Sequence, residues 1–512
     1  MLFNSYEFIF LFLPVSLLVF FYIGNIGHHR IALSWLVGVS LFFYAWWNPA
    51  YLGLLLFSLL FNYACGVALS RQTHKYSNKK KLALWIGVGI NLSLLGYFKY
   101  TNFLVDSINA MTSQNWHVDN IILPLAISFF TFQQIAYLVD AYRGETREYN
   151  FLHYSLFVVF FPQLIAGPIV HHREMLPQFA KPETYRPQFA NLAVGITIFV
   201  IGLFKKVVIA DTFAGYASPV FQIADSGGPL NCFQAWEGAI SYTLQLYFDF
   251  SGYSDMAIGL ARLFGIRLPL NFNAPYQACN IIEFWRRWHM TLSRFLRDYL
   301  YIALGGNRKG ELRRHLNLLA TMLLGGLWHG AGWNFVVWGG LHGVYLIINH
   351  VWQRLVPVEI NRWWSRCIAH TVTLLAVVIG WVFFRATTFD GALSMLNAMI
   401  NLPSNLHGRI GPLEQFMVEI GFRFDSGYLA SEHYVKLGLL LFWLWILTVW
   451  PTTQQLMKNF EPAIDYKSQV QGVLANKLAW RPNAFWSALL GIMAVLSILH
   501  LGSISEFLYF QF

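Results

Sequence analysis

Charge is scarce in this chain. Only 12% of its 512 residues are Asp, Glu, Lys or Arg, against roughly 25% in an ordinary soluble domain. Together with 56% hydrophobic residues and a mean hydropathy of +0.46, that scarcity excludes a soluble globular protein and an intrinsically disordered one. Cysteine is nearly absent as well. Cys65, Cys232, Cys279 and Cys367 are scattered without paired spacing, which gives neither a disulfide framework nor a zinc motif, so no metal is expected. An isolated cysteine nucleophile stays open beside the simpler reading of small core residues. Strand-type alternation is weak throughout, against a transmembrane barrel. No internal repeat supports an inverted-repeat transporter.

What the chain has is long apolar runs. A membrane span needs about 20 mostly apolar residues, and candidates lie near 6–24, 31–47, 51–70, 82–98, 121–139, 151–170, 190–210, 236–260, 316–329, 334–352, 369–385, 435–452 and 484–502. The pattern predicts an all-α polytopic membrane protein, residues 1–512 forming one membrane domain with about eleven or twelve crossings. Segment 151–170 carries Pro162, Gly167 and Pro168 and is expected to enter and leave on one side as a re-entrant hairpin. The stretches 386–434 and 453–483 are the long loops, each too short for a separate domain.

Basic loops are retained on the cytoplasmic side. Arg71, Lys75, Lys79, Lys80 and Lys81, with His28-His29-Arg30, put the amino terminus outside. Arg143 to Arg147, the run Arg308, Lys309, Arg313 and Arg314, and the Lys458 to Arg481 loop then also fall inside. Lys205-Lys206 fits less well, and snorkelling, pairing with Asp211 and a miscounted span all remain open. The net charge of +10 suits anionic lipid headgroups rather than nucleic acid. The first apolar segment reads as a retained span, not a removed signal peptide.

Polar groups concentrate between residues 245 and 345, the expected catalytic core segment. Gly325-Gly326-Leu327-Trp328-His329-Gly330 sets an imidazole among glycines and tryptophans between two apolar runs. Hydrocarbon offers such a group no partner, so His329 reads as a site residue facing a cavity, with a histidine merely hydrogen-bonded between helices as the alternative. Gln245 to Asp255 interrupts an apolar span with Asp249 and Asp255. Six residues apart, these carboxylates are rotated by about 600° and separated by about 9 Å on a helix, so they form no catalytic dyad. Each is free to pair with an arginine such as Arg262 or Arg286. Glu283 to Tyr299 alternates aromatics and arginines as an amphipathic interfacial helix, whose arginines either anchor to lipid phosphates or receive an anionic acyl donor. His289 lies within it, open to a surface or a site role. His342 would stand about 20 Å from His329 on one straight helix; the intervening glycines allow a break, and it reads as structural.

Four motifs in order carry a resemblance: Tyr247 to Gly259, Glu283-Phe284-Trp285-Arg286-Arg287-Trp288-His289, Leu304 to Gly310, and Gly325 to Gly330. They resemble the membrane-bound O-acyltransferase family and, within it, the bacterial branch of alginate O-acetyltransferase membrane subunits. Gly96-Tyr97-Phe98-Lys99-Tyr100 and Leu164 to Pro168 extend the likeness over nearly the whole chain. Relatives acting on cellulose or peptidoglycan, and the D-alanyl transferases of teichoic acids, share this core. The resemblance implies tilted helices around a central tunnel, with His329 as the catalytic histidine and His289 as its polar partner. It also implies tunnel or donor contacts for Asp249 and Arg286, with Trp328 and Trp333 lining the tunnel.

The resemblance further implies acyl transfer with no bound cofactor, the donor substrate being acetyl-CoA or another thioester. Imidazole supplies a base suited to neutral pH. Direct attack is expected rather than an acyl-enzyme, since no Ser or Cys nucleophile adjoins His329, and His289 is expected to hold or polarise the carbonyl. The implied setting is the bacterial inner membrane. The implied partners are membrane lipids, polysaccharide export machinery, and a periplasmic or membrane-anchored serine acetyltransferase that receives the acetyl group. A secondary transporter and a structural scaffold are the rival classes, and neither accounts for the ordered motifs.

Overall fold

In the computed structural model the protein is described for all residues except 72–77, 147–149, 357–361, 404–410, 420–422, 426–430, 465–472 and 503–512. Lys75, Arg147 and part of the Lys458 to Arg481 loop, all used for orientation, lie outside the described residues. The rest is overwhelmingly helical. Its described strands are a short parallel pair, Asn401–Pro403 with Arg423–Asp425.

Six described helices are long and apolar enough to cross a bilayer: Phe8–Asn25, Ala50–Arg71, Asn78–Thr112, Phe189–Asp225, Trp333–Leu355 and Trp363–Arg385. His29–Ala45, Val435–Val449 and Ala484–His500 are apolar but shorter. Other apolar runs of the sequence form shorter helices or lie in the long helix Cys232–Leu263. Segment 151–170 shows the difference well. Helix Phe151–Val159 ends at Phe160, a four-residue turn Phe161–Leu164 follows, and the backbone then runs without helix, with residues 154–170 buried throughout. Irregular backbone at that depth is stable only when protein surrounds it.

The central element is Cys232–Leu263, 32 residues long and buried along nearly its whole length. Asn231 caps it by accepting from the Gln234 amide, and the Gln234 side chain returns the bond to the Asn231 amide, satisfying two donors that a helix start otherwise leaves bare. The expected interruption at 245–255 does not occur; the helix runs through it, and its polar side chains are buried. It packs antiparallel on Phe189–Phe204 through facing glycines. A Cβ on Gly202 would stand 2.6 Å from the Gly252 carbonyl, and one on Gly259 would stand 2.7 Å from that of Gly195. Close backbone approach through small residues is the usual solution where helices meet in lipid.

The buried carboxylates pair with lysines, not with Arg262 or Arg286. Asp249 binds Lys206, whose ammonium also holds Asp211 at 2.9 Å. Asp255 binds Lys205 at 2.7 Å and accepts from Thr453 Oγ1 at 2.6 Å. The Lys205-Lys206 pair thus sits in its apolar run because two carboxylates of the neighbouring helix meet it. The second of these contacts folds the start of the 453–483 stretch back into the interior, where Thr453 is buried.

Two hydrophobic clusters result. One gathers the amino-terminal helices with Leu292, Phe295 and Trp328; the other gathers Phe250, Trp288, Trp338 and the Trp363–Arg385 helix.

Candidate active site

His329 closes the helix Glu311–His329, and after Gly330-Ala331-Gly332 the chain turns back as Trp333–Leu355. Glycine makes the hairpin tight. A Cβ on Gly326 would lie 2.2 Å from the Phe335 carbonyl oxygen, and one on Gly339 would lie 2.3 Å from that of Met322. The turn puts His329 on the seam between the two clusters. Its ring lies 4.9 Å from that of Trp328, which belongs to the first, and 5.1 and 5.3 Å from Trp338 and Phe384, which belong to the second. His342, one turn along the same helix from Trp338, packs on its ring at 5.0 Å. Trp285 Nε1 donates to His342 Nδ1 at 3.3 Å.

Two cavities meet at His329. The larger, about 750 Å³, is walled by Arg286, Arg294, Arg297, Arg314, Trp338 and neighbouring apolar residues. The smaller, about 200 Å³, is walled by Trp47, Lys99, Trp328 and the segment Ile122 to Phe129. His329 is the one described residue on both walls. Although 92% of its surface is covered, His329 borders two separate spaces.

His289 reaches the same place by a backbone irregularity. The expected amphipathic helix is broken in two, Ile281–Arg287 and Met290–Phe295, and His289 between them has φ +43°. That left-handed conformation is uncommon for a residue with a Cβ and marks strain held by its surroundings. The break turns His289 inward, fully buried, with its ring centre 6.4 Å from that of His329. Asn271 Oδ1 faces His289 Nδ1 at 3.0 Å while accepting from Thr291 Oγ1 at 2.9 Å and, more distantly, from the Thr291 amide; Asn271 Nδ2 donates to Ser254 at 3.1 Å. With the amide oxygen so oriented, Nδ1 of His289 carries the hydrogen and Nε2 presents a lone pair. Nε2 has no partner among the described residues.

The other expected site residues separate. Arg286 lines the larger cavity and has no carboxylate partner among the described ion pairs. By contrast, Arg287, Arg294 and Arg297 are held by Glu283, Glu174 and Asp298. Trp328 lines the smaller cavity, stacked on Phe132 at 5.1 Å. Asp249 reaches neither cavity; it is held by Lys206. Trp333 is half exposed and packs on Phe103, so it lines neither space.

Two contributors come from outside residues 245–345. Lys99 and Tyr100, at the end of a π-helical turn Gly96–Tyr100, bond to the last carbonyls of the His329 helix. The quoted motif Gly96 to Tyr100 holds both residues, but only the fold shows what they touch. The indole N–H groups of Trp328 and Trp338, buried without a partner among the described residues, are likewise invisible to sequence reasoning. No group of three or more potential metal ligands occurs among the described residues.

Comparison with known proteins bears directly on this arrangement. A profile of MBOAT, the membrane-bound O-acyltransferase family, matches residues 41–385. The chain is 47% identical over 428 residues to the peptidoglycan O-acetyltransferase of Helicobacter pylori, covering 78% of this chain and 80% of that protein. It is 43% identical over 406 residues to the probable alginate O-acetylase AlgI of Azotobacter vinelandii, covering 78% of each. A more distant likeness, 29% over 285 residues, joins it to the teichoic acid D-alanyltransferase of Bacillus subtilis, covering 53% of this chain and 70% of that one.

Proposed function

The chain belongs to the membrane-bound O-acyltransferase family and is a multi-pass membrane acyltransferase, and from that premise we propose that it carries acetyl groups across the bacterial inner membrane. The donor is a cytoplasmic thioester such as acetyl-CoA. The acceptor is a hydroxyl on the far side, borne by a serine of a periplasmic or membrane-anchored acetyltransferase that then esterifies an exported glycan. The observation that carries this reading is the position of His329 as the shared wall of two cavities.

The basic-loop orientation assigns the arginine-lined cavity to the cytoplasmic side and the Trp47 cavity to the outer one. Arg286, with no carboxylate partner among the described residues, suits the anionic groups of a thioester donor. An acetyl carbon delivered beside His329 then meets a hydroxyl arriving from the other space. His329 takes the hydroxyl proton as the oxygen bonds to the carbonyl carbon; the C–S bond breaks, and the proton passes to the departing thiolate. No covalent enzyme intermediate is required. His289, with its hydrogen committed to Asn271, has no donor left for the carbonyl oxygen. A donor to the carbonyl oxygen is available instead from the indole N–H of Trp338, which has no partner among the described residues and lines the larger cavity beside His329.

The names of the relatives divide the acceptor glycan between alginate and peptidoglycan. The motif resemblance favours alginate. The 47% identity to a peptidoglycan O-acetyltransferase is the observation that favours the second reading. A deletion strain complemented with the wild-type gene or with His329→Ala decides both points. Ester acetyl is quantified in the extracted exopolysaccharide and in the cell wall. Wild type is expected to restore it in one polymer and His329→Ala in neither. Restoration by a normally inserted His329→Ala protein would remove the assigned base.

A further inference from the structure

Lys99 is a buried cation, 8% exposed, in a chain that holds few charges. Among the described residues its partners are not carboxylates. The Nζ group bonds to the carbonyl oxygens of Trp328 and His329, the latter at 3.2 Å, and to Ser128 Oγ at 3.4 Å, and it stands 5.8 Å from the centre of the Trp328 ring. Beside it, the Tyr100 hydroxyl donates to the Leu327 carbonyl at 2.9 Å. An ammonium has three hydrogens, and here three oxygens meet them, so none is left for a substrate. The last carbonyls of a helix have no partner within the helix and carry the negative end of its dipole. In this helix that end adjoins His329, on the wall of the smaller cavity that Lys99 also lines.

We propose that Lys99 is a positioning residue for acyl transfer: it clamps the terminal carbonyls of the Glu311–His329 helix so that the imidazole is held between the two cavities, and its charge offsets the negative helix end where the tetrahedral oxyanion forms. The proposal rests on His329 being the base. Because Lys99 meets no substrate, its loss acts on turnover and not on binding. A displacement of about 1 Å at a reacting group costs on the order of 10²-fold in rate.

The test uses membranes from strains carrying wild type, Lys99→Met, Lys99→Arg, Lys99→Gln or His329→Ala, with the partner proteins present. Initial rates of ester formation are measured against acetyl-CoA concentration and normalised to folded protein by detergent gel filtration. Lys99→Met is expected to lower kcat about 10²-fold with KM unchanged. Lys99→Arg, which keeps charge and donors, is expected to recover most of that loss. If Lys99→Met does not fold, Lys99→Gln, with donors but no charge, is expected to fall between Arg and wild type on one side and the inactive control on the other, again in kcat alone. Wild-type kcat in a folded Met or Gln variant overturns the proposal, as does an effect confined to KM. Activity in His329→Ala would instead remove the reading on which the proposal rests, and the two failures are told apart by that control.

Discussion

The imidazoles of His289 and His329 lie 6.4 Å apart, centre to centre, and Trp328 borders both. They are brought there by two unrelated irregularities: a left-handed residue between two short helices, and a glycine hairpin at the end of a long one. Only His329 touches the cavities. On the proposed function the pair is one base with an oriented neighbour rather than two interchangeable histidines.

If the Trp338 indole donates to the developing oxyanion, Trp338→Phe removes that bond while keeping a large aromatic ring beside His329. Loss of one such donor typically costs about 10²–10³-fold in kcat. Rates of ester formation at saturating thioester check this, and a folded Phe variant at wild-type rate would assign the oxyanion to another donor.

Asn271 orients His289 and is completely buried. Asn271→Leu leaves His289 Nδ1 and Thr291 without their acceptor, a cost of about 1–3 kcal/mol for each stranded polar group. The variant is expected to melt earlier in detergent and to lose rate at temperatures where it is still folded. A lower melting temperature with an unchanged rate would make Asn271 purely structural.

Gly326 faces the Phe335 carbonyl at a distance no Cβ tolerates. Gly326→Val forces the two helices of the hairpin apart, with an overpacking cost of about 1–3 kcal/mol or more. The expected outcome is poor membrane accumulation and a lowered melting temperature. Gly340→Ala is the control, since a Cβ there meets only a side-chain contact at 3.4 Å.

Lys206 holds Asp249 and Asp211 in the interior, all three side chains at most 9% exposed. Lys206→Met strands two carboxylates. Breaking a buried pair by removing one partner costs about 3–5 kcal/mol, whereas replacing both by apolar groups is often neutral. The triple change Lys206→Met, Asp249→Leu, Asp211→Leu is therefore expected to be more stable than Lys206→Met alone, measured by thermal inactivation in detergent. Transfer activity surviving in the triple variant would show that Asp249 serves the scaffold and not the donor.

Much of this was legible in one dimension. Twenty tryptophans and scarce charge leave the chain no solvent but lipid, so the class follows from solvation, and an imidazole between apolar runs makes His329 a site candidate on the same ground. Asp249 shows the limit of the same reasoning. A carboxylate in an apolar run announces that it has a partner, yet nothing in its neighbours in sequence says whether that partner is a substrate or Lys206. The Gln245 to Asp255 stretch looked like a break for the same reason, because polarity along a helix is visible while the lysines that satisfy it belong to another helix.

The sequence by itself determined the membrane environment, the helical class and the ordered motifs, and it marked His329 and His289 as candidates. Tertiary structure alone decided that His329 borders two spaces, that His289 turns inward with no partner for Nε2 among the described residues, that Lys99 bonds the last carbonyls of the Glu311–His329 helix and that Asp249 reaches neither cavity. The division has a physical cause. Hydrophobicity and backbone preference are properties of a local stretch, whereas hydrogen-bond partners and cavity walls are set by segments hundreds of residues apart, whose meeting depends on the packing of every helix between them.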